Sequence, residues 1–320
     1  MTMKKLKIEE TAAFLLAHDN YAILTHRRPD GDTLGSAAAL CRMLRALGKT
    51  AHILVNPEIT PRYLWLHQGL TRQEAEAGDT LVTVDVASPQ MLPKAFEQYL
   101  GSIALRIDHH ASATSFTEQE LVMPERAACA EIIADLLGPL NYGKMEPELA
   151  DALYVGTATD TGCFRFANTT SHTFAVAAAC AGAGARIYQL NQELFETNTL
   201  QRLKIQSWIV ENMKIFENGT MAVVAIPRAV EDAIGVTEDD MDNITAFPRT
   251  VAGVKMASTL RETKDGDVKL SVRAVPGWDA TVIAGAFGGG GHKGAAGATL
   301  KMPLSDAAKA VEAAMRKMNA

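Results

Sequence analysis

The sequence predicts an α/β protein: a mostly parallel sheet flanked by helices, followed by a second, smaller α/β domain. Three observations carry this. In the first half, short apolar runs alternate with longer helical patterns, as parallel strands joined by covering helices require. Between residues 172 and 214 the pattern is helical throughout. Beyond that stretch β-like runs begin again. A chain of 320 residues suits two domains, at roughly one per 100–200 residues.

The elements follow in order. YAIL (21–24) reads as a buried strand, and LGSAAALCRMLRALG after it as a helix over 34–47. AHILV (51–55), LVTVDV (81–86) and IALRID (103–108) are further strands, with helical patterns at 89–99, 127–137 and 147–159. The helical stretch from HTFAVAAACAGAG to the end of SWIVENM reads as a connector, with a hinge at Gly182–Gly184. In the second half, TMAVVAIP (220–227), TVAGVKMAST (250–259) and VKLSVRAV (268–275) read as strands. Helices are expected over 229–235, 238–246, 279–286 and 304–318. The sequence shows neither tandem repeats nor low-complexity segments.

Composition narrows the function classes. Apolar residues make up 48% and charged residues 21%, an ordinary globular balance. The net charge of −6 argues against a protein that coats long nucleic acid through a broad basic face. It leaves room for a short anionic substrate held by a few local cations. There is no uninterrupted apolar run of about 18 residues, so no membrane span is expected. The N-terminus, with Glu9, Glu10 and a short FLLA segment, reads as a soluble helix and not as a secretory signal. Cys41, Cys129, Cys163 and Cys180 lie far apart, in neither a CxxC nor a zinc spacing. They read as small buried thiols in a reducing cytoplasm.

The chemistry-bearing residues fall near strand ends or on a Gly/Thr-rich turn. HRRPDGD (26–32), TVDVAS (83–88), RIDHHAS (106–112) and GTATDTGCF (156–164) together offer His26, Asp30, Asp32, Asp85, Asp108, His109, His110 and Asp160. In open parallel sheets, ligands bind beyond the carboxyl ends of the strands. One Asp after a strand is commonly a turn residue or helix cap, but four such places in this order form a cluster. Carboxylates so crowded would raise one another's pKa, and a pair of divalent cations removes the conflict. Mixed imidazole and carboxylate ligands suit Mn²⁺. A second signal is GAFGGGGHKGAAGAT (285–299), where Gly289, Gly290 and Gly291 precede His292 and Lys293. Glycines admit close approach of backbone N–H groups to an anion. Arg261 and Arg273, on or beside strands, and Arg165, just after the Asp160 motif, are candidate anion contacts.

These motifs, with the lone Asp85 after LVTV, DHH at 108–110, TDTGCFRFANTT and FGGGGHKGAAG, resemble the DHH–DHHA1 phosphoesterase family across nearly the whole chain. The length and TDTGCFRFANTT look most like its NrnA subgroup of bifunctional oligoribonucleases and 3′-phosphoadenosine-5′-phosphate (pAp) phosphatases. The resemblance implies a DHH catalytic domain over 1–185, a helical linker over 186–215 and a DHHA1 substrate-binding domain over 216–320. It implies two Mn²⁺ ions, with Mg²⁺ or Co²⁺ as substitutes. One metal would take His26, Asp30 and Asp85; the other would take Asp32, Asp85, His109 and Asp160, with Asp85 bridging. His110 would face the scissile phosphate, Asp108 would support the histidines, and His292 with its glycines would hold the far end of the substrate. The implied reaction is hydrolysis of short single-stranded RNA (nanoRNA) and pAp by metal-activated water. A pApA or cyclic di-AMP phosphodiesterase is the alternative within enzymes, and a catalytically idle nucleotide-binding sensor the alternative outside them. A homodimer is compatible with the resemblance. The chain departs from the family at Ala113, where Asn is common, at Ala274 after Arg273, where Ser is usual, and at Ala298, where Cys is usual.

Overall fold

The computed structural model describes residues 4–318 except 112, 113 and 242, so Ala113 lies outside the described residues. Two compact units divide between Thr197 and Asn198.

The first unit contains β1 (Lys4–Lys5), α1 (Ile8–Ala17), β2 (Tyr21–Leu24), α2 (Gly31–Ala46), β3 (Ala51–Leu54), β4 (Thr71–Arg72), β5 (Thr80–Val84), β6 (Ile103–Asp108) and β7 (Gln119–Val122). Then come α3 (Cys129–Asp135), α4 (Pro147–Asp160), α5 (Ser171–Gly182) and α6 (Ile187–Asn191). Its seven strands run in the order β1-β7-β6-β5-β2-β3-β4. Every neighbouring pair is parallel. Alternation along the strands divides the core. Tyr21, Ile23, Val82, Val84, Leu105 and Ile107 pack on the helices, whereas Ala22, Leu24 and Leu81 face Leu92 and Phe96 on the other side. Residues 89–99, read as helical from sequence, form short 3₁₀ turns (Pro89–Met91 and Lys94–Ser102). Pro89 and Pro93 remove the N–H groups that a continuous α-helix would need.

From β2 the chain moves outward to β3 and β4, then returns to β5 on the other side of β2 and moves outward to β6 and β7. The order therefore reverses between β2 and β5. In a parallel sheet that reversal opens a crevice at the carboxyl ends of those two strands.

Helices α2 and α4 pack close together over this sheet. A Cβ on Gly35 would strike the Ala152 carbonyl, and one on Gly156 would lie 2.5 Å from Ala130 Cβ and 2.9 Å from Asp32 Oδ1. Glycine at these positions is what lets the start of α2 approach α4.

The second unit contains α7 (Leu200–Asn212), β8 (Lys214–Phe216), β9 (Met221–Ile226), α8 (Arg228–Ile234), β10 (Met256–Glu262), β11 (Val268–Ala274), α9 (Ala280–Gly285), β12 (Gly290–His292), β13 (Ala295–Leu300) and α10 (Leu304–Lys317). Its sheet order is β12-β13-β11-β10-β9-β8, with β9 and β10 parallel and the rest antiparallel. One face carries Val223, Leu260, Leu270 and Val272 and packs with Ile283, Val311 and Met315 of α9 and α10. The strand expected from residue 250 begins at Met256, because Gly253, with φ of 92°, turns the chain first. Instead of a helix over 238–246 there are turns and then a 3₁₀ segment, Ile244–Thr250. The glycine run, read from sequence as an anion-binding segment, enters the hairpin β12–β13. Gly291 has φ of 144°, and a Cβ there would lie 2.6 Å from the Ala295 carbonyl oxygen, so only glycine fits. None of the described helices is long and apolar enough to cross a membrane.

Candidate metal centre and anion-binding face

Three adjacent strands end at the crevice. β2 leads into His26, β5 into Asp85, and β6 closes on Asp108 before His109 and His110. α2 contributes Asp30 as its N-cap, with Oδ1 accepting from the Asp32 and Thr33 N–H groups at 3.0 and 3.2 Å. Asp160 is the last residue of α4. The structure thus brings all eight residues of the four motifs to one end of the sheet.

Each of the three histidines has a defined Nδ1 partner. His26 Nδ1 lies 2.8 Å from the Arg27 carbonyl and His109 Nδ1 lies 3.2 Å from the Arg126 carbonyl, so both Nδ1 atoms donate. Their Nε2 atoms therefore face the acids. His26 Nε2 is 3.6 Å from Asp30 and 3.5 Å from Asp85. His109 Nε2 is 3.4 Å from Asp85, 3.6 Å from Asp160 and 3.8 Å from Asp32. His110 differs. Its Nδ1 is held by Asp108 Oδ1 at 2.8 Å, and Asp108 also accepts from the His109 N–H at 2.9 Å. Among the described residues, no carboxylate reaches His110 Nε2.

Asp32 is buried and oriented from three sides. Cys129 N–H donates to Oδ2 at 2.6 Å, and Ala130 N–H and Ser36 Oγ donate to Oδ1 at 2.9 and 3.1 Å. Asp85 adopts a left-handed backbone, φ 59°, just beyond β5. Such a conformation is uncommon for a residue with a Cβ, though Asp tolerates it better than most. Its Oδ1 is buried and, among the described residues, accepts no hydrogen bond.

The electrostatics express the crowding. Burial, with the Asp85 charge next, pushes Asp32 up to about 7. Asp160 is also raised, by burial and then by Asp32. Burial opposes the charged form of His109, but the nearby carboxylates of Asp85, Asp32 and Asp160 outweigh that and raise it to about 10. For Asp85, burial is outweighed by His109 and His26, which hold the carboxyl below the ordinary range.

The donor set fits divalent cations. His26, Asp30 and Asp85 offer one ligand atom each within 4.8 Å of one another, and so do Asp32, His109 and Asp160. Asp85, His109 and His110 form a third such group, but its His110 Nδ1 is already engaged by Asp108. The unpartnered Asp85 Oδ1 is the atom a cation would satisfy.

Two family models match the chain in order: the DHH family N-terminal domain over residues 20–157 and the DHHA1 domain over 218–320. The bifunctional oligoribonuclease and PAP phosphatase NrnA of Thermus thermophilus is 35% identical over 299 residues, covering 92% of this chain and 89% of that protein. The chain belongs to the DHH–DHHA1 phosphoesterase family. It is an enzyme, a metal-dependent hydrolase. The crystal structure of an exopolyphosphatase-related protein from Bacteroides fragilis matches this DHH–DHHA1 chain with a TM-score of 0.88 at 20% identity, covering 97% of this chain and 95% of that one. The RecJ–Mn²⁺ structure from Thermus thermophilus matches with a TM-score of 0.54 at 18% identity, covering 97% of this chain and 55% of that one. Both similarities speak for the fold.

The remaining sequence candidates are spread more widely. Three successive positive φ values, at Gly162, Cys163 and Phe164, reverse the chain just after Asp160. Arg165 is exposed there, its Nε donating to the Gly162 carbonyl at 2.6 Å. In the second unit, register places Arg273 opposite Ala295 and Ala295 opposite His292, so Arg273 and His292 share a sheet face. Gly290, two residues from His292, lies on the same face. Arg261 is on that face too, but Glu231 takes its Nε and Nη2 at 2.8 and 3.0 Å, with Glu238 at 3.5 Å. Its charge is neutralised within the unit.

Several supporting residues escaped the sequence reading. Asn56 Nδ2 donates to Thr25 Oγ1 at 2.9 Å and to the His26 carbonyl at 2.8 Å. Asn168 Nδ2 bridges the carbonyls of Ala127 and Asp160, each at 3.1 Å. Asn168 lay within the TDTGCFRFANTT motif and could have been singled out; Asn56 carried no signal.

Proposed function

We propose that this protein is a manganese-dependent phosphoesterase that hydrolyses short oligoribonucleotides and pAp. The observation that carries the reading is the pair of three-ligand groups at the crevice, one containing Asp85 and the other within 3.4 Å of it through His109. The similarity, over 92% of this chain, to an oligoribonuclease and PAP phosphatase supports the substrate class.

His26, Asp30 and Asp85 would hold one ion, and Asp32, His109 and Asp160 the other, with Asp85 shared. Imidazole and carboxylate donors together suit Mn²⁺. Bound ions supply Lewis-acid charge to a phosphate and make water more acidic at neutral pH. The rest falls to the chain's own groups. Asp108 fixes the His110 ring through Nδ1, so Nε2 can donate to a phosphate oxygen as negative charge develops there. Asp32 is held by two backbone amides and a hydroxyl. It therefore needs little reorganisation on binding. Arg165 is an anion contact in the first unit. His292, Arg273 and the neighbouring glycines are the candidate anion contacts of the second unit.

The test is a hydrolysis panel with Mn²⁺ on the purified protein: pAp, a short oligoribonucleotide, pApA, cyclic di-AMP and pyrophosphate. The expected result is the highest kcat/KM on the first two. A preference for pApA or cyclic di-AMP would replace the substrate assignment, and turnover of none would overturn the enzymatic reading.

A further inference from the structure

Residues 126–130, RAACA, belong to none of the four ligand motifs. Their backbone nevertheless meets two of the proposed ligands. The Arg126 carbonyl accepts from His109 Nδ1 at 3.2 Å. The Cys129 and Ala130 N–H groups donate to the two oxygens of Asp32 at 2.6 and 2.9 Å. Asp160, the third member of that ligand group, is tied to the same segment through Asn168. Asn168 Nδ2 donates to the Ala127 carbonyl and to the Asp160 carbonyl, each at 3.1 Å. One short stretch of backbone and one amide side chain therefore reach all the ligands of one proposed ion.

The segment is itself anchored by side chains. The Arg126 guanidinium donates to Asp135 Oδ2 at 2.7 Å, and the Ala127 N–H donates to the buried Glu131 carboxylate at 3.1 Å. With Asn168 on its carbonyl, Ala127 is held at both of its polar backbone atoms. Both partners of Asn168 are carbonyls, so only the amide nitrogen, with its pair of N–H groups, satisfies them. A hydroxyl offers one donor and an ionised carboxylate none. Asp160 closes α4, where the last carbonyls of a helix lack an intrahelical partner. Among the described residues, none of these contacts reaches His26, Asp30 or Asp85. The His26 carbonyl is held by a different amide, Asn56 Nδ2, at 2.8 Å.

We infer that Asn168 is a positioning residue for one ion only: it locks Asp160 to the backbone that orients His109 and Asp32. The inference rests on the two-ion reading proposed above and deepens it, because each ion position gains its own amide support, Asn168 for one and Asn56 for the other. Asn168 is exposed and acts through its carbonyl partners. It sets the spacing of the ligands before a cation arrives, which is how outer groups tune a metal site.

The test titrates Mn²⁺ into the metal-free, full-length protein and follows the free ion by electron paramagnetic resonance. Wild type is expected to bind two ions. Asn168→Ala and Asn168→Leu should each weaken one of them by roughly ten- to 100-fold and leave the other at its wild-type affinity. In an Asp160→Asn background, which removes a ligand of the affected ion, Asn168→Ala should change nothing further. Weakening of both ions alike or of neither would overturn the inference, and so would an undiminished effect in the Asp160→Asn background. Full affinity in Asn168→Leu would overturn it too, by showing that the side chain only fills space. The melting temperature with a chelator should match wild type; a fall that accounts for the lost affinity would assign Asn168 to the fold. If wild type binds fewer than two ions, the two-ion reading fails, and amide hydrogen exchange in the metal-free protein decides the role of Asn168. Asn168→Ala should then speed exchange at the Cys129 and Ala130 amides by roughly tenfold, and unchanged rates refute it.

Discussion

At the scale of single residues, neighbouring side chains divide the work by what each already touches. His109 and His110 adjoin in sequence, but one turns Nε2 to three carboxylates and the other is held by Asp108. His109→Ala is expected to lose bound metal. His110→Ala should keep its metal and lose about 10²–10³ in kcat. Elemental analysis together with kinetics separates the two, and equal metal loss in both variants would refute the assignment. His67 offers a test away from the site. Burial pushes its imidazole down to about 4, although its contact with the Leu34 carbonyl at 3.1 Å favours the charged form. The unfolded chain takes up this proton near pH 6.5, roughly the free imidazole value, and the folded chain only near pH 4. Stability from this residue is therefore fully present above about pH 6.5 and declines as pH falls towards 4. His67→Gln should flatten this acid limb by up to about 3 kcal/mol. Urea unfolding with a chelator at neutral and acid pH measures it; unchanged slopes would show that His67 titrates normally.

At the scale of elements, the helix pair α2–α4 sets how closely the ligands can gather. Gly156→Ala would push a methyl against Ala130 Cβ and Asp32 Oδ1. It is expected to destabilise by about 1–3 kcal/mol and to weaken metal binding. Gly182→Ala at the end of α5 meets open space and should instead stabilise by about 0.4–1 kcal/mol. Chemical denaturation of both variants tests the contrast; loss of stability in each would mean that helix crowding is not the cause. The same scale shows what the sequence makes legible. The central strands were readable because burial on both faces gives unbroken apolar runs, and the acids at their ends stood out against them. β7 was not readable. Its buried Glu120 looks like a surface residue until Arg106, paired with it at 2.9 Å on the adjacent strand, is seen. The strands β12 and β13 were hidden because Gly and Ala leave no hydrophobic period. Arg261 looked like a free cation because Glu231, which neutralises it, is 30 residues away in sequence.

At the scale of the molecule, all the proposed metal ligands lie in residues 26–160, inside the first compact unit. A fragment of residues 1–197 is expected to bind metal as the whole chain does and to hydrolyse bis-p-nitrophenyl phosphate. It should lose most activity on pAp, because the proposed anion contacts Arg273 and His292 belong to the other unit. A folded fragment with full pAp activity would show that the second unit does not read the substrate.

The two proposed ion positions differ in their exposure to solvent. The Asp30 side chain is 56% exposed, whereas that of Asp32 is 1% exposed and fixed by backbone amides. A ligand that can swing into water opens an associative path for a competing chelator, and one locked beneath a helix start does not. The ions should therefore have unequal residence times. On mixing the manganese-loaded protein with excess chelator, release should be biphasic, with the ion on His26 and Asp30 leaving first and the ion on Asp32 long-lived. Asp30→Asn should accelerate only the early phase. A single exponential for both ions would show that they exchange as one unit.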